Sequence, residues 1–163
     1  YQLKIFVGRV REKGGHLVFV TPTQRRFFDE ATRSRILETH LDYPDAMRAV
    51  AQREGIPVIE LHEMTRDFFE TLGYEGSKRA LVHYPAGTFP GQDQALADNT
   101  HFNPYGAYEV SKMVVMGMRQ LALPIVRNLR SDWIDYSPKY PDSSRAFIWY
   151  PADRMDMTKP DGN

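Results

Sequence analysis

The chain reads as an α/β domain built on a parallel sheet, and two observations point there. Amphipathic helical stretches alternate with short, continuously apolar runs, in the order helix, strand, helix, strand, helix. Glycine or proline punctuates the joints between them. A strand buried on both faces shows no alternation, because helices cover both sides of a parallel sheet. The order predicts right-handed βαβ units with helices on either face.

Each element follows from its residues. Leu3, Phe6, Val7 and Val10 recur at helical spacing, and Gly14-Gly15 ends that stretch. His16-Leu17-Val18-Phe19-Val20-Thr21 is a short apolar run stopped by Pro22, hence a buried strand. From Thr23 to Asp42 the chain is polar, and Gln24-Arg25-Arg26 reads as solvated loop rather than phosphate site. Asp42 and Pro44 mark a helix start, Met47, Val50 and Ala51 its apolar face, and Gly55 its end. Ile56 to Leu61 is the second strand. Met64, Phe68, Phe69 and Leu72 stripe the next helix, closed by Gly73.

Residues 84–99, with Pro85, Gly87, Pro90 and Gly91, read as a long loop of the kind that carries function in α/β domains. Asn103 caps a further helix with Pro104 in its first turn. The inner face of that helix is expected at Ala107, Val110, Val114, Gly117, Met118 and Leu121. Residues 1–130 form the domain. Residues 131–163, rich in Pro, Asp and aromatics without periodicity, read as an extended arm packed on it. Two strands make too small a sheet, since such sheets have about four to six. Further strands are therefore expected upstream of Tyr1.

Composition narrows the chemistry. Lys+Arg and Asp+Glu number 21 each among 163 residues, so no global field favours nucleic acid or an anionic membrane. No apolar run is long enough to span a bilayer. Without cysteine, disulfides, thiolate catalysis and Cys-ligated zinc are excluded. No signal peptide is visible, and the chain begins inside a helical pattern, so the true N-terminus, with any targeting segment, is expected upstream of Tyr1.

Among the five histidines, His16 starts a strand, His40 lies in the polar loop and His62 sits just past the second strand as a helix-start residue. His83 precedes Tyr84-Pro85-Ala86-Gly87-Thr88 and lines the same cleft as the loop. His101 has distinctive company: Asp98 precedes it by three residues, close enough to fold back onto Nδ1 and leave Nε2 as a general base. The alternative is a solvated pair beside a helix N-terminus, where Asp98 also suits the helix dipole. No His-x-x-x-His or Glu-x-x-His run supplies metal ligands, so no metal and no cofactor is expected.

The run Ala97-Asp98-Asn99-Thr100-His101-Phe102-Asn103-Pro104-Tyr105-Gly106-Ala107-Tyr108 resembles the C-terminal catalytic block of SGNH (GDSL-type) hydrolases, specifically of rhamnogalacturonan acetylesterases. Leu81 to Gln92 is similar to the loop before that block. Val18-Phe19-Val20-Thr21-Pro22 with Arg25-Arg26 is similar to the strand and turn after the third block, and Thr158 to Asn163 to the C-terminus of bacterial members. The resemblance implies the C-terminal part of a flavodoxin-like three-layer α/β/α sandwich, with strands one to three before Tyr1. It implies Asp98 as orienting acid and His101 as general base and acid of a serine esterase that removes O-acetyl groups from pectic polysaccharide. It further suggests His83, Tyr84 and Phe102 as substrate-binding residues, and secretion or a periplasmic location.

The family's nucleophile lies in a Gly-Asp-Ser block and an oxyanion donor in a Gly-x-Asn-Asp block. Neither tripeptide nor tetrapeptide occurs here. The chain alone is thus expected to be inactive, with a complementing N-terminal fragment as its natural partner beside an acetylated polysaccharide or oligosaccharide. An SGNH esterase or lipase on other acyl esters, and a non-catalytic carbohydrate-binding module, remain the alternatives.

Overall fold

The computed structural model describes residues 2–149, in mixed α/β architecture. The resemblance at Thr158–Asn163 and the end of the expected arm lie outside the described residues.

The first half forms a βαβ unit. Helix α1 (Gln2–Glu12) precedes β1 (Phe19–Val20), α2 (Tyr43–Glu54) and β2 (Val58–Ile59). The two strands pair in parallel, Phe19 with Val58 and Val20 with Ile59. Side chains alternate across this pair. Phe19 and Val58 join Val7, Val50, Ala51 and Ile56 beneath α1 and α2. Ile59 joins the larger cluster beneath α3 and α4. The small sheet therefore has apolar packing on both faces, although Val20, expected within a buried strand, is exposed.

Helix α3 (Leu61–Gly76) buries Met64, Phe68 and Phe69. Its long first segment ends at Gly73, as expected. That residue takes φ 74° and ψ 175°, a conformation open to glycine, and a further helical turn follows the kink. A 3₁₀ turn at Ser77–Ala80 leads into β3 (Leu81–Tyr84).

The main departure from expectation lies between residues 81 and 102. The loop expected over residues 84–99 is confined to residues 85–95, because β3 and β4 (Leu96–Phe102) flank it as an antiparallel hairpin separate from the β1–β2 pair. The parallel-sheet reading thus holds for β1 and β2 alone. Strand β4 has no apolar alternation to betray it, because only Asp98 and Phe102 are even half-buried along it.

Helix α4 (Pro104–Gln120) starts as expected: Asn103 Oδ1 accepts the Gly106 N–H at 3.0 Å and Pro104 occupies the first turn. Gly106 is required there, since a Cβ would sit 2.0 Å from the Ala80 carbonyl oxygen. Of the expected inner face, Gly117 is buried and Val110, Val114, Met118 and Leu121 pack against the core, but the buried stripe is wider than expected. Tyr105, Gly106, Glu109, Met113 and Gly117 are buried, while Ala107 is exposed.

The wider stripe buries a carboxylate, Glu109, and residues 136–142 make that tolerable. Tyr136 donates from its hydroxyl to Glu109 Oε2 at 2.9 Å, and Lys112 Nζ lies 2.9 Å from Glu109 Oε1 and 2.7 Å from Asp142. A buried charge that is paired and hydrogen-bonded avoids most of its desolvation cost. Among the described residues, no helix is long and apolar enough to cross a membrane.

Candidate active site

The Asp98–His101 run is a bulge in the β3–β4 hairpin rather than a loop. Leu81 pairs with Phe102 and His83 with Ala97, so Val82 alone opposes the four residues from Asp98 to His101. Such bulges release residues from the ladder and re-aim their side chains. Here the Asp98 carboxylate organises the released run. Its Oδ1 accepts the backbone N–H of Thr100 at 2.6 Å and of His101 at 2.9 Å.

Its other oxygen, Oδ2, lies 2.6 Å from His101 Nδ1. An ionised carboxylate only accepts, so Nδ1 carries the proton and Nε2 is left with a lone pair. The imidazole is 76% exposed, and Nε2 has no partner among the described residues. Three donors converge on Asp98. They hold its carboxyl at about 2, below the usual 3.8, with the His101 backbone N–H the largest cause. This pair can orient an imidazole in one tautomer and offer its free nitrogen to an acidic hydroxyl.

Two neighbours brace the bulge through Asn99. His83 Nε2–H donates to Asn99 Oδ1 at 2.9 Å, and Arg26 Nη1–H reaches the same oxygen at 3.2 Å. Arg26 also donates its backbone N–H to the Asn99 carbonyl at 2.9 Å. This corrects the solvated-loop reading of Gln24-Arg25-Arg26. Only Arg25 is exposed; Gln24 and Arg26 are buried. The Gln24 side chain bonds Glu38 and His62, 14 and 38 positions away, and Arg26 reaches partners 48 to 73 positions away, and no local pattern signals that.

His62 is also buried. Its Nδ1–H donates to the Pro22 carbonyl at 2.9 Å, and its Nε2 lies 2.7 Å from Glu38 Oε2. Its location at the start of α3 matches the helix-start reading.

The remaining expected residues separate. His83 and Tyr84 line a shallow cavity of about 370 Å³ together with Arg79, Arg145 and Trp149. Tyr84 packs edge-on against Phe89, and burial pushes its hydroxyl up from the ordinary tyrosine range. Phe102 is not part of that cavity: its ring stacks on Phe69 with centroids 5.9 Å apart, as part of the core. A larger groove of about 770 Å³ between α4 and residues 129–142 contains none of the five expected residues. Among the described residues, no group of three or more His, Asp or Glu side chains forms a metal-binding cluster.

Comparison with known proteins bears on this arrangement. The chain is 44% identical over 129 residues to "Rhamnogalacturonan acetylesterase RhgT" of Bacillus subtilis (strain 168), covering 79% of this chain and 55% of that protein. It is 30% identical over 127 residues to "Probable rhamnogalacturonan acetylesterase YesY" of the same organism, covering 78% of this chain and 53% of that protein. No family model matches, and no solved structure matches. The chain spans about half the length of the curated relatives it matches. The likeness carried by the run from Ala97 to Tyr108 thus extends over most of the sequence, and the chain is rhamnogalacturonan acetylesterase-like.

Proposed function

We propose that this chain supplies the acid–base pair of a carbohydrate acetylesterase acting on acetylated pectic polysaccharide. The observation that carries the reading is the 2.6 Å Asp98–His101 pair with Nε2 free at the surface. In this reading His101 Nε2 takes the proton of a serine hydroxyl as that oxygen attacks the acetyl carbonyl. The resulting imidazolium, held by Asp98, protonates the departing sugar oxygen. Water then repeats the sequence and releases acetate.

The serine and oxyanion donors come from a Gly-Asp-Ser-bearing segment outside these 163 residues, and the assembled domain is a flavodoxin-like sandwich. The parallel β1–β2 pair with apolar packing on both faces supports that architecture. Secretion or a periplasmic location suits a polymeric substrate. Losing even one oxyanion donor costs about a hundredfold in rate, so the chain alone is inactive in this reading.

The test is acetate release from acetylated rhamnogalacturonan and from p-nitrophenyl acetate. We expect none from the chain alone. We expect activity when it is combined with a Gly-Asp-Ser-bearing N-terminal segment, and loss of that activity in His101→Ala. Persistent activity in His101→Ala would remove the histidine from the mechanism. A preference for longer acyl esters would make the enzyme a general esterase, and binding of the polysaccharide without acetate release would make the chain a binding module.

A further inference from the structure

The Asp98 carboxylate bonds only inside the bulge, to Thr100, His101 N and His101 Nδ1. Those bonds shape the run but do not locate it on the domain. With Val82 alone opposite four residues, the strand ladder does not locate it either. Asn99 is the bulge residue whose side chain bonds outward.

Its main partner is unusual. Arg26 is 5% exposed, and among the described residues its guanidinium has no carboxylate within ion-pair distance. Nε–H donates to Ser77 Oγ at 2.9 Å, and Nη2–H donates to the Tyr74 carbonyl. The guanidinium lies over the rings of Tyr74 and Phe28, at 4.7 and 5.4 Å from their centroids. Burial lowers its pKa, but an arginine remains cationic. These contacts fix the guanidinium plane on α3 and the 3₁₀ turn, leaving Nη1 directed at Asn99 Oδ1 and the Arg26 backbone N–H at the Asn99 carbonyl. One residue thus grips both oxygens of Asn99, and His83 shares the side-chain oxygen.

We infer that Arg26 is a positioning residue for His101, acting through Asn99 to hold the bulge in the shape in which Asp98 meets Nδ1 and Nε2 is left free. This rests on His101 being the base of the proposed reaction. Its effect is read from the imidazole itself, so the two ideas fail separately.

The experiment is NMR on this chain, following the ring ¹⁵N shifts of His101 and the carboxyl ¹³C of Asp98. The unaltered chain should show one His101 nitrogen protonated and the other bare. Asn99→Ala, a change at an exposed position, should average the two ring nitrogens. It should also raise the Asp98 midpoint from about 2 toward 3.8. Asn99→Asp keeps an acceptor for Arg26 and should restore the original signature. The buried ring of His62 should be unmoved in both.

An Asn99→Ala chain with a dispersed amide spectrum and an unchanged His101 signature would overturn the inference. If Asn99→Ala loses that dispersion, Arg26→Lys carries the same measurement. It keeps the charge but cannot reach Ser77 and Asn99 together. A His101→Ala enzyme that retains activity would sink the catalytic reading while leaving this geometry standing.

Discussion

Two carboxylate–imidazole pairs in this molecule have nearly the same bond length and opposite surroundings. His101 lies 2.6 Å from Asp98 with its ring 76% exposed; His62 lies 2.7 Å from Glu38 with its side chain 2% exposed. In the first, one ring nitrogen is held and the other is free. In the second, Nδ1 is taken by the Pro22 carbonyl and Nε2 by Glu38, with Gln24 and Thr21 closing around the ring and its backbone. A short Asp/Glu–His contact therefore does not by itself make a general base. What distinguishes the catalytic candidate is a bare nitrogen reachable by substrate. The buried pair ties the segment around Pro22 and Glu38 to the start of α3, and so steadies the chain that leads to Arg26.

The contrast is open to attack, beginning with activity. In an enzyme assembled from this chain and a nucleophile-bearing segment, His101→Ala should lower kcat by about 10³-fold or more, while stability changes by less than ~0.5 kcal/mol. Steady-state kinetics beside a urea melt would check both halves. Asp98→Asn should cost about 10²–10⁴-fold, because an amide facing Nδ1 favours the wrong tautomer. Equal activity of Asp98→Asn and the parent would remove the orienting role.

His62→Ala should do the reverse. It removes a buried ring with its bonds to the Pro22 carbonyl and the partly exposed Glu38, and should cost ~2 kcal/mol of stability in denaturant unfolding. Unaltered stability in that variant would mean that the buried pair is not structural.

The smallest effect concerns acid. Glu38 is held at about 2, against an ordinary 4.5. Burial opposes that shift, and the His40 backbone N–H and the His62 ring outweigh it. A carboxyl depressed on folding adds stability above pH 4.5, and that contribution fades as pH falls through about 2. Solvent screening at the partly exposed carboxylate keeps the amount modest. Glu38→Gln should therefore flatten the loss of stability between pH 5 and 2. A parent-like pH dependence in that variant would show that other groups carry it.

Local patterns made some of this legible and hid the rest. The stop at Gly14-Gly15, the Asn103–Pro104 helix start, the parallel pair and the closeness of Asp98 to His101 all depend on residues a few positions apart, or on continuous apolar runs. The hairpin was not legible, because β4 is largely exposed and its polar residues mimic a loop. Arg26 looked like surface because its partners Tyr74, Ser77 and Asn99 lie 48 to 73 positions away. Glu109 was unreadable as core for a related reason: its partners include Tyr136 and Asp142, from a segment without periodicity.

The sequence by itself determined the helices, the apolar strand runs and the acid–histidine spacing, since each follows from backbone preference and short-range periodicity. Only the tertiary structure decided which polar residues are buried, that the inner face of α4 extends to Glu109, and that Asp98 and His101 stand on a bulge braced by Arg26. Those outcomes depend on satisfying buried charges and hydrogen-bonding groups with distant partners, a condition no local window of sequence contains.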